Sequence, residues 1–161
     1  MSDLAGFVNF EDFRSQVILA FPPEPFYGVA STHDECDEGI ALRRELPGKS
    51  WDEIPASFID DNSLSLPLLK PTALVAFFPA WLLRAAETFG SDSLNLEFLV
   101  YFLCPGSEDE GWDDEKRESI ASLFSPTQRE LIGRFLSTVL EDKEFDWFHG
   151  YIRHALKSWQ D

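Results

Sequence analysis

The sequence predicts an all-α fold, a single-domain bundle of about six helices around a central apolar helix. The segment from about 71 to 89 begins with Pro71, ends at Gly90 and is almost wholly apolar, which is typical of a buried helix. Apolar residues also recur at steps of three and four near both ends of the chain. Because 161 residues fit the usual size of one domain, we interpret residues 1–161 as one acidic helical domain.

The N-terminal half contains two predicted helices. Phe10, Phe13 and Val17 share one helical face, and Asn9 can cap a helix from about 10 to 20 that stops at the prolines of 22–25. A capping box formed by Thr32 and Glu35 predicts a second helix that runs to about residue 46. A further short turn is expected around Trp51, and 60–67 is predicted to be loop.

The remaining segments are also predicted to be helical. Pro79 should kink the central helix. Residues 91–103 fit both an alternating strand and a helical stripe, and we favour a helix because no second strand is visible to pair with them. Three more helices are expected, at about 112–123, from 126 to about 140 with a Ser125 cap, and at about 145–159.

The formal net charge of -16 restricts the kinds of partner. A surface of this sign repels phosphate backbones and anionic membranes, because nucleic-acid affinity depends on Lys and Arg displacing counterions. We therefore expect no direct nucleic-acid or membrane binding. A basic protein is the complementary partner, and the oligomeric state stays open.

The chain has no predicted targeting or membrane segment. Its first residues lack a basic stretch followed by an apolar one, so we expect no signal peptide and a cytoplasmic location. The longest apolar run, 73–83, is well short of the ~20 residues that span a bilayer. In a reducing compartment Cys36 and Cys104 should be free thiols, and Cys104 should be packed.

Two acidic patches are the candidate binding sites. The primary patch has an aromatic residue among carboxylates, a composition typical of a binding anchor with a charged rim. It comprises Asp109, Glu110, Trp112, Asp113 and Asp114. Alternatively, Trp112 turns inward as the first core residue of the next helix. The secondary patch comprises Asp34, Glu35, Asp37 and Glu38.

The secondary patch also contains metal-ligating residue types. Zinc could be ligated by His33, Asp34, Cys36 and Asp37, but no second Cys/His pair follows at the spacing of a structural site. A capped helix start with solvated carboxylates is the favoured interpretation. No GxSxG, GxxxxGK[ST] or GxGxxG motif is present. We therefore assign no catalytic residue, no metal and no cofactor.

Several short segments resemble an uncharacterised family of small acidic bacterial proteins, the domain of unknown function six-seven-one-four. The similar segments are Ala20–Pro25, Cys36–Glu38, Gly48–Ile54, Pro71–Ala80, Gln128 with Phe135–Leu136, and Ala155–Leu156 with Trp159. The family pattern has Thr-Pro-Glu where Lys70, Pro71 and Thr72 stand here. The resemblance implies a bacterial source and a mostly helical domain, and it brings no catalytic residues.

These observations favour a non-enzymatic protein-binding module, of the kind that an immunity protein uses to neutralise a basic bacterial toxin. Two alternatives stay open. One is a small metal-dependent enzyme centred on His33, Cys36 and Asp37. The other is a nucleic-acid mimic whose carboxylates imitate phosphates and occupy a DNA-binding groove.

Overall fold

The computed structural model describes residues 9–91, 94–142, 146 and 149–160, and this part of the chain is mostly helical, which confirms the all-α class. Within it the α-helices are α1 Phe10–Ala20, α2 Asp37–Glu45, α3 Ala56–Asp61, α4 Pro71–Glu87, α5 Asn95–Leu103, α6 Asp114–Ala121, α7 Pro126–Glu141 and α8 His149–Trp159. Two short 3₁₀ helices, Trp51–Glu53 and Leu66–Leu68, and an antiparallel pair, β1 Gly106–Ser107 and β2 Gly111–Trp112, complete these elements.

Helix α4 forms the centre of the core, as predicted. Its side chains are buried on nearly every face, including Phe77, Phe78 and Leu82, and it packs against α1, α3 and α5. The helix continues through Pro79 and ends at Glu87, two residues before the predicted boundary. Gly90 follows with φ of 82°, a left-handed conformation that glycine adopts without steric cost.

The N-terminal prediction is confirmed for α1 and wrong at the start of α2. The Asn9 side chain accepts the Asp12 N–H at 2.9 Å and caps α1. Helix α2 begins at Asp37 rather than just after Thr32, because Cys36 is its N-cap. The predicted loop 60–67 is wrong in part, because its first two residues end α3 (Ala56–Asp61) and its last two begin the 3₁₀ helix Leu66–Leu68.

The ambiguous segment 91–103 is a helix from Asn95 onwards. Its stripe of Leu96, Leu99, Val100 and Leu103 is buried, which explains why the helical period prevailed over the alternating one. The Asn95 side chain donates to Asp60 at 2.8 Å. The same carboxylate accepts two hydrogen bonds from Arg84, at 2.7 and 2.8 Å, and these hydrogen bonds lower the pKa of Asp60.

The C-terminal helices close the core from the other side. Helix α7 begins with the predicted Ser125–Gln128 capping box. It packs closely on α8 at Gly133, where an added Cβ would lie 2.6 Å from the Trp159 carbonyl oxygen. The buried Trp159 indole N–H donates to the Leu103 carbonyl at 3.2 Å. Residues 145 and 148 of the predicted last helix lie outside the described residues.

Candidate partner-binding surface

The primary patch lies on a short hairpin and at the start of α6, where a helix was predicted from about residue 112. Strands β1 and β2 pair Gly106 with Trp112 and Ser107 with Gly111. Both glycines have positive φ, 96° and 99°, as tight hairpins commonly require. The turn presents Asp109 and Glu110 to solvent, with the Glu110 N–H donating to the Ser107 hydroxyl at 3.0 Å.

Trp112 is half-buried in a cluster of rings. Its indole stacks on the His154 ring, with centroids 4.5 Å apart and planes 15° apart. The Tyr151 ring contacts it edge-on at 5.0 Å, and Tyr101 packs in turn on Tyr151 at 5.3 Å. The side chain therefore attaches the hairpin to α8, in line with the alternative that Trp112 turns towards the core.

The two remaining members of the primary patch organise α6. The Asp113 carboxylate accepts the Lys116 N–H at 3.1 Å and caps the helix. Asp114 Oδ1 lies 2.5 Å from both His154 Nε2 and Arg117 Nη1. Both groups lower the pKa of Asp114, with the hydrogen bond from His154 as the largest cause, and so keep its carboxylate charged. Helix α6 consequently starts at Asp114, two residues later than predicted.

The buried guanidinium of Arg117 holds Asp114 and α6 in position. Arg117 is only 4% exposed, although Asp114 remains open to solvent. Its Nε donates to the Ser158 hydroxyl of α8 at 2.6 Å while Nη1 reaches Asp114. Since a long charged side chain is rarely this buried without partners, Arg117 fixes α6 to α8 and holds one patch carboxylate in place.

The secondary patch is built from a loop and the first turn of α2. Cys36 caps the helix, with its Sγ accepting the Gly39 N–H at 3.4 Å, so the predicted Thr32–Glu35 capping box is wrong. The His33 backbone packs directly over Gly39, where no Cβ would fit. All four patch carboxylates are exposed, and Asp34 lies 3.8 Å from Arg43. Among the described residues no hydrogen bond or ion pair joins the two patches.

Two of the three residues at the centre of the metal-dependent enzyme hypothesis, His33 and Cys36, line a small surface depression, and Asp37 does not. Thr32 to Cys36 line it, and its volume is about 290 Å³. In residues 9–91, 94–142, 146 and 149–160, no three His, Cys, Asp or Glu side chains are arranged to hold a metal ion. The metal-dependent enzyme and the nucleic-acid mimic stay predictions.

A larger groove, which the sequence did not predict, lies beside the primary patch. We call it the main groove; its volume is about 480 Å³. One wall is α6, and the other is the segment 66–74, with Phe102 of α5 also lining it. A neighbouring depression of about 230 Å³ shares Leu66, Pro67, Phe102 and Lys116 with it.

The lining of the main groove combines apolar side chains, most of them nearly buried, with charged ones. Leu66, Leu69, Leu74 and Ile120 line it together with Leu123, which is 38% exposed. Asp113, Glu115 and Lys116 line it as well. Asp113 belongs to the primary patch, so the patch and the groove form one continuous surface.

Comparisons with known proteins give no match to a protein-family model, a curated protein or a solved structure. The family resemblance therefore stays a prediction. None of the helices in the described part of the chain has both the length and the apolar character needed to cross a bilayer.

Proposed function

We propose that this chain is a non-enzymatic, cytoplasmic protein-binding module that acts as an immunity protein and neutralises a basic bacterial toxin. Its binding surface is the primary patch with the adjacent main groove, and the secondary patch adds long-range attraction. The observation that carries the proposal is the position of Asp113, which belongs both to the acidic patch and to the lining of the 480 Å³ groove. Carboxylates and buriable apolar area are thereby available to one partner.

The charge of the chain supports a cationic protein as that partner. Residues 107–118 carry seven carboxylates against two basic side chains, within a chain of net charge -16. Such a field repels nucleic acid and anionic membranes and accelerates encounter with a positive surface. Toxins that act on nucleic acid need a positive surface to bind it, and an acidic protein that covers this surface would block the substrate.

The structure of the primary patch supports a preformed site. Asp114 is held by His154 and Arg117, and Trp112 is held by its stacking on His154. Groups that are fixed before binding lose little conformational entropy when the partner arrives. Preorganised carboxylates therefore favour tight inhibition over weak, purely electrostatic association.

The proposal can be tested by affinity capture at low salt followed by a neutralisation assay. The tagged chain is expected to retain a basic protein whose expression alone arrests bacterial growth, and co-expression of this chain should restore growth. The attraction between exposed charges is largely screened beyond about 8 Å at 0.15 M salt, and this distance becomes shorter at higher salt. Binding should therefore weaken as the salt concentration rises.

Charge-reversed variants provide the specificity control. Asp109→Lys with Glu110→Lys should abolish rescue, and adding Glu35→Lys with Glu38→Lys should reduce capture further. The matched control, Glu24→Lys with Glu130→Lys, changes the net charge equally at exposed positions outside both patches and should leave rescue intact. The proposal fails if no basic partner is retained, or if reversal at both patches leaves binding unchanged.

A further inference from the structure

We infer that the main groove binds a cationic amphipathic helix of the partner, with the apolar face of that helix inserted between α6 and the segment 66–74. This inference rests on the proposed function and names the recognition element. It depends on three features of the molecule, which are the shape of the α6 wall, the apolar lining and the placement of charge.

The α6 wall has the spacing of a helix-packing surface. Lys116, Ser119 and Ile120 of α6 line the groove at positions i, i+3 and i+4, and Leu123 lines it from the turn that follows the helix. Side chains at such positions form a ridge along one helix face, and ridges of this kind pack into the grooves of another helix. At 1.5 Å per residue the eight residues of α6 extend about 12 Å, which matches two to three turns of a bound helix.

A helix fits the groove better than an extended strand. A strand would need a free sheet edge, but the groove is lined by helix α6, the Leu66–Leu68 3₁₀ turn, the start of α4 and Phe102 of α5. The backbone groups of α6 are hydrogen-bonded within the helix and cannot extend a sheet. Helix-in-groove recognition instead uses apolar anchors at i, i+3, i+4 and i+7, which the apolar lining can accept.

The charges around the groove select a cationic occupant. Asp113 and Glu115 line the groove. Asp109 and Glu110 lie on the adjoining hairpin, and Glu118 lies on α6. Lys116 is the opposing cation, so basic side chains of the occupant should lie towards the hairpin rather than over Lys116. A second copy of this chain carries the same net charge of -16 and is disfavoured by repulsion.

A defined peptide can test this inference without knowledge of the natural partner. We would use a fluorescein-labelled, end-capped peptide of about 14 residues with Leu at positions i, i+4, i+7 and i+11 and Lys on its polar face. Fluorescence anisotropy with the full chain at 0.15 M salt should show binding at least about tenfold tighter than for a scrambled peptide of the same composition. A version with Glu in place of Lys should not bind.

Paired variants locate the peptide on the protein. Leu123→Ser should weaken binding about fivefold to tenfold, because it removes an apolar contact from the groove. Glu115→Gln should weaken it about threefold. Leu19→Ser, at a position that is 76% exposed on α1, and Glu130→Gln on α7 are the matched controls and should have no effect.

A steric variant covers the case in which Leu123→Ser reduces stability. Ser119→Trp adds bulk at an exposed position on the groove wall without removing a core contact. It should block peptide binding while the far-ultraviolet circular dichroism spectrum of the protein stays unchanged. The inference is overturned if the scrambled peptide binds equally, or if Leu123→Ser and Ser119→Trp both bind like the wild type. Rescue from the toxin in cells that carry Ser119→Trp would overturn the groove as part of the binding surface and leave the neutralising role, with the primary patch as its surface, standing.

Discussion

The primary and secondary patches each carry four carboxylates, but the rest of the chain supports them differently. In the primary patch, Asp114 is bound by His154 and Arg117, Trp112 stacks on His154, and Asp113 lines an apolar groove. In the secondary patch, the carboxylates are solvent-exposed around a capped helix start, with one long contact from Asp34 to Arg43. The two patches therefore carry the same number of carboxylates, but those of the primary patch lie on a rigid, partly apolar surface and those of the secondary patch are solvated.

The two cysteines should show the largest difference between these regions. Cys104 lies beneath the primary patch, is 1% exposed, and its pKa is raised to about 11 by burial. At pH 8 only about one Cys104 thiol in a thousand would be ionised, in addition to the steric protection. Cys36, the cap of α2, is partly exposed. We expect one fast and one very slow thiol in a reaction with 5,5′-dithiobis(2-nitrobenzoate).

Single substitutions assign the two phases. Cys36→Ser should remove the fast phase, since serine is also a good N-cap and leaves the fold intact. Addition of guanidinium chloride should merge the phases by exposing Cys104. Two equally fast thiols in the folded protein would contradict the buried position of Cys104.

The second prediction compares the two arginine contacts. Arg117→Met removes a buried guanidinium that reaches both Asp114 and Ser158, and should lower the free energy of unfolding by about 2 kcal/mol. Arg43→Met removes only the exposed contact to Asp34 and should change it by less than about 0.5 kcal/mol. Urea unfolding followed by circular dichroism measures both, and similar losses for the two variants would show that the patches are supported alike.

The third prediction concerns the backbone of the hairpin. Gly106 has φ of 96°, and an added Cβ would lie 2.5 Å from the Gly111 carbonyl oxygen, so Gly106→Ala combines strain with a collision. We expect a loss of about 2 kcal/mol. Gly111 has φ of 99° with open space around it, so Gly111→Ala should cost only about 1 kcal/mol. Thermal unfolding of both variants separates the collision from the strain.

Local sequence signals account for much of the fold but for little of the surface. Side-chain caps with ordinary donors, such as Asn9 and the Ser125–Gln128 box, placed α1 and α7 correctly. The start of α2 was misplaced because Cys36, an uncommon cap, prevailed over Thr32 when the His33 backbone packed on Gly39. The hairpin was missed because its two-residue strands are too short to show an alternating pattern.

The main groove could not be predicted, since its lining comes from segments that are far apart in the sequence. Leu66, Phe102 and Leu123 come from three separate segments of the chain, and each looks like an ordinary core or surface residue by itself. Likewise, the sequence placed Trp112 among carboxylates but did not show that His154, forty-two residues later, would stack on it. Long-range packing therefore decides which acidic patch lies beside apolar surface.

The smallest expected effect is the pH dependence of the Asp114 contacts. Hydrogen bonds from His154 and then Arg117 lower the pKa of Asp114 below its ordinary value of 3.8 in the folded protein. A group of this kind stabilises the fold above its unfolded pKa, and the stabilisation is lost as the pH falls through the folded pKa. Unfolding midpoints at several pH values between about 6 and 3 should therefore fall less steeply for Asp114→Asn than for the wild type. Asp34→Asn, the matched change in the secondary patch, should follow the wild-type slope, and equal slopes for all three proteins would contradict the specific role of Asp114.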